Sequence, residues 1–422
     1  MFEPEDRLLF SCACARPAFD QAALFRLCSE VRDWDALLEK AACHRLILRL
    51  HAFLKQNGAG EALEPAVWRK IEEASRRTQF RVMALEAELS ENLLPRFSRS
   101  GIEVLLLKGL ALNQTVYANK PTRSFVDLDL LIRPEVLGRA RSLLEDLGYQ
   151  EKRPSDLPSR WHEQALQPLR PPNALTFFHP EKRIPVDLHL DPFEGGAPLR
   201  WEPAWLWEGA RRVPIGDSYA WIPRPDRLFL HLLFHLVKHI GRRRIALCWY
   251  LDLDECLRFF GEIREGDSCR GEIERQPCAG QALGILAFLQ QHFETPLPPS
   301  LREAVRAGRA QPPVLDSLFL PEGALDLSTF DNSGWIDRRE AFSSYWKQAR
   351  GRGAKIWFLI RRVFPGRFYL EAKYPPFRTP GQKLTAYAKH FLAVLYKGSR
   401  LLVYCLDRKK SYTERCHAGP AD

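Results

Sequence analysis

The chain has 422 residues, 45% of them hydrophobic and 27% charged, which excludes a wholly disordered or fibrous protein and leaves room for two or three domains. The net charge is +10, with +13 on residues 350–416 and −3 on the remainder, so any pull on anionic partners comes from the C-terminal part. The opening MFEPEDRLLF has no basic stretch leading into an apolar one, and no run of about 18 apolar residues occurs; the expectation is a cytoplasmic protein without a signal peptide or membrane span.

Residues 1–100 read as an N-terminal helical region. Leu37, Leu38, Ala41, Leu46, Leu50 and Leu54 recur at steps of three and four, and Val82, Leu85, Leu89, Leu93 and Leu94 repeat the pattern before Ser98 to Gly101 ends it. Residues 101–224 change texture. Ile102 to Leu107 is a short apolar run that suits a buried strand. Lys108-Gly109 turns into a helix through Tyr117. Phe125 to Ile132 alternates around two acids, and Pro134 opens a helix that Gly148 caps. Proline-rich residues 150–173 read as a loop, and Leu175 to His179 with Pro185 to Leu190 as a hairpin.

The helical period returns in a third region, residues 225–340. Arg227 to Ile240, Ala246 to Phe260 and Gln281 to His292 are the predicted helices, with loops at 261–280 and 307–340. Residues 341–422 form a basic segment ending in an amphipathic stretch, with Leu384, Tyr387, Phe391, Leu395 and Leu402 on one face and Lys383, Lys389, Lys397 and Arg400 between them. The fold class is α+β: a small mixed sheet between helical regions. The ten cysteines have no framework spacing, and Cys12 and Cys14 have no second pair at zinc-ribbon distance, so reduced and mostly buried thiols are expected.

The chemistry concentrates in the sheet. Asp127 and Asp129 are two apart in an apolar strand, which points both to one face and sends Val126, Leu128 and Leu130 to the core. Two adjacent carboxylates repel unless a cation lies between them, and Mg²⁺ prefers such oxygens. Asp187, in Val186-Asp187-Leu188-His189-Leu190, is a third acid on an alternating strand. Three converging carboxylates can hold two ions for in-line displacement at a nucleotide phosphate. The helix after Gly109 offers free N–H groups, and the glycine allows close approach of a phosphate. The bland alternative is a solvent-facing strand edge.

Leu107-Lys108-Gly109, the block Arg123-Ser124-Phe125-Val126-Asp127-Leu128-Asp129-Leu130-Leu131 and Asp187-Leu188-His189 together resemble the polymerase-β nucleotidyltransferase superfamily. More specifically they resemble an uncharacterised nucleotidyltransferase family within it. The flanks Trp34-Asp35, Ala42 to His44, Gly148-Tyr149, Phe364-Pro365 and Tyr374-Pro375 extend the resemblance over most of the chain. It implies transfer of a nucleoside monophosphate from a nucleoside triphosphate to an acceptor hydroxyl, with release of pyrophosphate. Asp127, Asp129 and Asp187 would be catalytic and hold Mg²⁺, two ions, with Mn²⁺ as the alternative. Lys108, Gly109 and Arg123 would bind the nucleotide.

The wider superfamily has Gly-Ser where this chain has Lys108-Gly109. Lys108 is either a point charge for the β or γ phosphate or a solvated lysine at a strand end. Arg123 is either a bidentate phosphate clamp or a structural partner of Asp127. His189, His235 and Asp252 are auxiliary candidates. His189 orients a carboxylate, helps deprotonate the acceptor, or is a satisfied polar histidine. His231, His235 and His239 line a cleft or, less in keeping with the missing H-E-x-x-H carboxylate, bind zinc. Trp249 and Asp252 are candidates to contact a base or acceptor. The acceptor is a small molecule, a protein or an RNA end. The basic C-terminal stretch is a solvated surface, a nucleic-acid contact or an anionic membrane contact. A non-catalytic nucleotide-binding or regulatory protein, and a membrane-peripheral scaffold, are the rival classes.

Overall fold

A computed structural model describes residues 3–14, 20–118, 122–152, 174–193, 199, 201–240, 246–261, 263, 268–309, and, between 379 and 392, residues 379, 381–382, 384–385, 387–389 and 391–392. The chain divides into two compact units, Met1–Glu151 with Pro172–Leu327, and Lys152–Pro171 with Ser328–Asp422. Nearly all described residues lie in the first. In the second, the described residues from 381 to 392 are helical, with Leu384, Phe391 and Leu392 exposed. Leu395, Leu402, Lys383, Lys397 and Arg400, the proline-rich stretch from 153 to 173 and the loop expected from 310 to 340 lie outside the described residues.

The N-terminal helices are α1 (Pro4–Cys14), α2 (Gln21–Glu30), α3 (Trp34–Cys43), α4 (Ile47–Gln56), α5 (Ala59–Ala62) and α6 (Pro65–Ala87). Helix α1 precedes the first helix expected from the sequence; Glu5 and Asp6 sit in its first turn, where carboxylates meet the positive dipole end. Asp20 and Asp33 cap α2 and α3, accepting from the Ala22 and Ala36 N–H groups. Helix α6 widens into π winding over Glu88–Leu93 before α7 (Leu94–Arg99). Pro95 has no N–H to offer the Glu91 carbonyl, and the Leu94 N–H bonds Leu89 O, one residue further back than in an α-helix.

The strands among the described residues are β1 (Leu105–Leu106), β2 (Leu128–Leu131), β3 (Gln150–Glu151), β4 (Ala174–His179), β5 (Ile184–His189), β6 (Arg211–Ile215) and β7 (Ser218–Ile222). They form one mixed sheet in the order β3-β4-β5-β2-β1-β7-β6. Strands β2 and β5 are parallel, and β1 runs antiparallel to β2 and parallel to β7. The expected hairpin is β4–β5. The hairpin β6–β7 extends the sheet beyond the strands read from the sequence. Its Gly216-Asp217 turn is a two-residue hairpin signal, while the exposed Arg211, Arg212 and Pro214 hide an edge strand, where proline is tolerated. Leu128, Leu130, Val186, Leu188 and Phe177 are fully buried on one face.

Helix α8 (Lys108–Asn113) follows β1, and α9 (Leu137–Asp146) lies between β2 and β3. Beyond β5 come α10 (Ala204–Trp207), α11 (Pro225–Ile240), α12 (Leu247–Phe259), α13 (Ser268–Glu274), α14 (Ala279–His292) and α15 (Pro299–Ala304). Helix α13 occupies a stretch expected to be loop. The described cysteines are all free thiols; Cys12, Cys28, Cys248, Cys256, Cys269 and Cys278 are buried. No helix among the described residues is long and apolar enough to cross a membrane.

Two buried polar groups tie the N-terminal helices to the rest of the fold. Glu88, 4% exposed on the π turn, accepts from Tyr149 Oη at 2.9 Å and Lys182 Nζ at 2.8 Å, joining the helix to the β4–β5 turn. His44, 2% exposed, joins the N-terminal helices to α12: its Nδ1 accepts the Leu247 N–H at 3.2 Å and its carbonyl the Cys248 N–H at 3.4 Å. These are two of the donors that a helix N-terminus leaves unsatisfied.

Burial, with a smaller contribution from Lys40, holds the His44 imidazole down at about 4. Unfolding therefore takes up a proton between that value and the usual 6.5, and stability falls as the pH drops through this window. In urea unfolding, the stability lost between pH 7 and pH 5 should be about 2 kcal/mol smaller in His44→Asn, whose amide oxygen still accepts, than in wild type. Equal losses in both proteins would remove His44 as the acid-sensitive link.

Candidate functional site

The site grows from the register of β2 and β5. Asp129 lies directly opposite Asp187, and Leu131 opposite His189. Paired residues of neighbouring strands point to the same face, so both acids and the histidine project away from the leucine core. On the far side of β5, Thr176 faces Asp187, and its hydroxyl donates to Asp187 Oδ1 at 2.6 Å. His189 Nε2 lies 2.8 Å from Asp129 Oδ1; a charged carboxylate only accepts, so Nε2 carries the proton. The ligand atoms of Asp129, Asp187 and His189 all lie within 4.8 Å of one another.

Lys108 completes the compensation of Asp129, with Nζ 2.6 Å from Oδ1. Asp129 is 5% exposed. Burial works against its charge, but Lys108 and then His189 outweigh burial and hold the carboxyl well below the usual range. Burial likewise opposes the Lys108 ammonium, while Asp129 first and Asp127 second push it above its ordinary value.

Asp127 does not take the place expected of it. Strand β2 starts at Leu128, so Asp127 sits in the bend before it and the same-face rule does not reach it. For the same reason Val126 is 48% exposed instead of facing the core. The close trio uses His189 where the sequence suggested Asp127. Asp127 is half-buried within the field of the trio: burial, then Asp129, push its carboxyl up to about 6, with Arg45 and Lys108 opposing.

Two further expectations change. A Cβ at Gly109 would lie 3.0 Å from the Phe125 Cβ, so glycine there permits close packing of α8 on the Phe125 segment. The left-handed backbone falls on Lys108, with φ 50°. Arg123 is neither open to a phosphate nor paired with Asp127. It is 3% exposed, and its Nε and Nη2 donate to Asp252 Oδ1 and Oδ2 at 2.7 and 2.8 Å. Tyr117 Oη donates to the same carboxylate at 3.1 Å, so Asp252, 1% exposed, is an anchor within the core and has no face for a base or acceptor.

His231, His235 and His239 form a ladder along α11, with ring centroids 6.3 and 4.5 Å apart, and Trp249 packs on the last two. Burial holds His231 down at about 3, and the charges of Lys108, His189 and Asp129 also act on it. Burial and then His239 hold His235 well below the usual histidine range. None of these rings is part of the metal-capable cluster among the described residues. The sequence reading missed Thr176 and Arg45. Thr176 was legible in principle, because a hairpin pairing His179 with Ile184 also pairs Thr176 with Asp187. Arg45 comes close only through tertiary folding.

Arg123→Met should cost about 3–5 kcal/mol in urea unfolding, because it strands a buried carboxylate, and adding Asp252→Leu should restore most of that. Unchanged stability with loss of nucleotide binding would instead make Arg123 a phosphate clamp.

A search of curated proteins finds no match. Residues 30–294 match the family described as uncharacterised nucleotidyltransferase, a span that contains every strand among the described residues and the whole Lys108, Asp129, Asp187 and His189 cluster. The chain belongs to that uncharacterised nucleotidyltransferase family.

Proposed function

We propose that the protein transfers a nucleoside monophosphate from a nucleoside triphosphate to an acceptor hydroxyl, releasing pyrophosphate. The observation that carries this is the facing pair Asp129 and Asp187 on adjacent parallel strands, with His189 beside them, in a chain of this family. Two facing carboxylates fit a divalent cation, and their oxygens suit Mg²⁺ or Mn²⁺. Asp129 and Asp187 would hold the first ion, with His189 orienting Asp129. Asp127, repelled by both acids, is the group proposed for a second ion. A bound cation would neutralise triphosphate charge and favour departure of pyrophosphate.

The remaining roles belong to the protein's own groups. Lys108 is held against Asp129 and carries a charge that can turn to a phosphate oxygen. Thr176 fixes the Asp187 carboxylate through its hydroxyl. His231 and His235, held below the usual histidine range by burial, add no competing positive charge beside the cation.

A second reading, nucleotide binding without turnover, is favoured by one observation. Lys108 Nζ already occupies the position beside Asp129 that a cation would take. Calorimetric titration of each nucleoside triphosphate separates the two. The transferase reading expects binding that requires Mg²⁺ and weakens at least tenfold in Asp129→Asn. Equal binding in Mg²⁺ and in EDTA, unaffected by Asp129→Asn, would favour Lys108 as a built-in cation and sink the transferase reading.

A further inference from the structure

A second, separate concavity lies on the N-terminal helices. It is a cavity of about 830 Å³ between α4 and α6, bordered at one end by Thr122. This is the size of a site for a small organic ligand. Arg49 and Lys55 come from one face of α4, Ser75 and Arg76 from the facing side of α6, and the lining holds these three cations against a single acid, Glu72. Lys55 and Arg76 are exposed, and no ion pair holds either of them among the described residues.

The floor has a polar atom left over. His51 Nδ1 lies 3.1 Å from Ser75 Oγ, and the ring packs 5.3 Å from Trp68. Its Nε2 is shielded from solvent and meets no protein partner among the described residues. A shielded polar nitrogen without a partner costs about 1–3 kcal/mol, and with no accessible area it faces away from the groove.

The groove is also connected to the carboxylate-bearing segment through its lining residue Thr122. Thr122 is five residues before Asp127, a span of at most about 18 Å of chain. Ser124 Oγ donates to the carbonyl of Arg45, just ahead of α4, at 3.3 Å, and the Arg45 charge acts on Asp127. One end of the groove is thus tied to the segment that carries the acids.

We infer that the α4–α6 groove binds the acceptor, and that the acceptor carries a phosphate group which Lys55 and Arg76 hold. Calling the ligand an acceptor rests on the nucleotidyltransferase reading; the anion site itself does not. The groove is tested with inorganic pyrophosphate in EDTA, where the unneutralised carboxylates repel the probe and only a cationic groove attracts it. Wild type and Asp129→Asn should bind it alike, and Lys55→Ala with Arg76→Ala should weaken binding at least tenfold. Because both side chains are exposed, circular dichroism and thermal unfolding should be unchanged in that variant.

A second arm separates acceptor phosphate from the nucleotide's own triphosphate. Binding of Mg²⁺–nucleoside triphosphate should survive in the double groove variant. No pyrophosphate binding, or binding indifferent to the groove variant, overturns the anion site. Loss of Mg²⁺–nucleotide binding in the groove variant overturns the acceptor assignment and gives the groove to the donor. Absence of Mg²⁺–nucleotide binding in wild type overturns the word acceptor, while the pyrophosphate result still decides the site.

Discussion

Asp129 is a carboxylate with 5% exposure in the middle of a seven-stranded sheet, and an uncompensated charge there would cost several kcal/mol. Its neighbours follow from that constraint. Lys108 reaches it from the turn after β1, and His189 reaches it from β5. Lys108 does so from a left-handed backbone that costs a side-chain-bearing residue about 1–2 kcal/mol. The ion pair offsets this strain, so the turn and the acid support one another. The Lys108-Gly109 turn therefore keeps a positive charge at the carboxylates.

Arg123–Asp252 and His44 act at one remove. The buried ion pair fixes the start of the segment that leads to Asp127 and Asp129 onto α12. His44 fixes α3 and α4 onto the N-terminus of the same helix. Helix α12 thus receives both the acid-bearing segment and the N-terminal helices. Breaking either anchor disturbs the placement of the carboxylates without touching them.

The sequence made the α+β class, the β4–β5 hairpin, α11, α12 and the trio's two carboxylates legible, because burial alternates along β4 and β5 and periodicity is strong in the helices. It misled where an element was shorter than its pattern. Phe125 to Ile132 alternates throughout, yet only Leu128–Leu131 pairs as strand, and Asp127 and Val126 fall before it. Arg123 was misread because its partner is 129 residues away on another helix, a separation that no local spacing reports. Gly109 was read as making room for a phosphate, whereas a ring from Phe125 fills the space.

The central claim is that Asp129 and Asp187 together hold a divalent cation in the nucleotide complex. Paramagnetic resonance of Mn²⁺ titrated into protein with a nucleoside triphosphate tests it most directly, since bound and free ion give distinct signals. The account expects ion bound to the wild-type complex beyond what the nucleotide alone takes up, and loss of that fraction in both Asp129→Asn and Asp187→Asn. The same bound fraction in wild type and in both variants would contradict it.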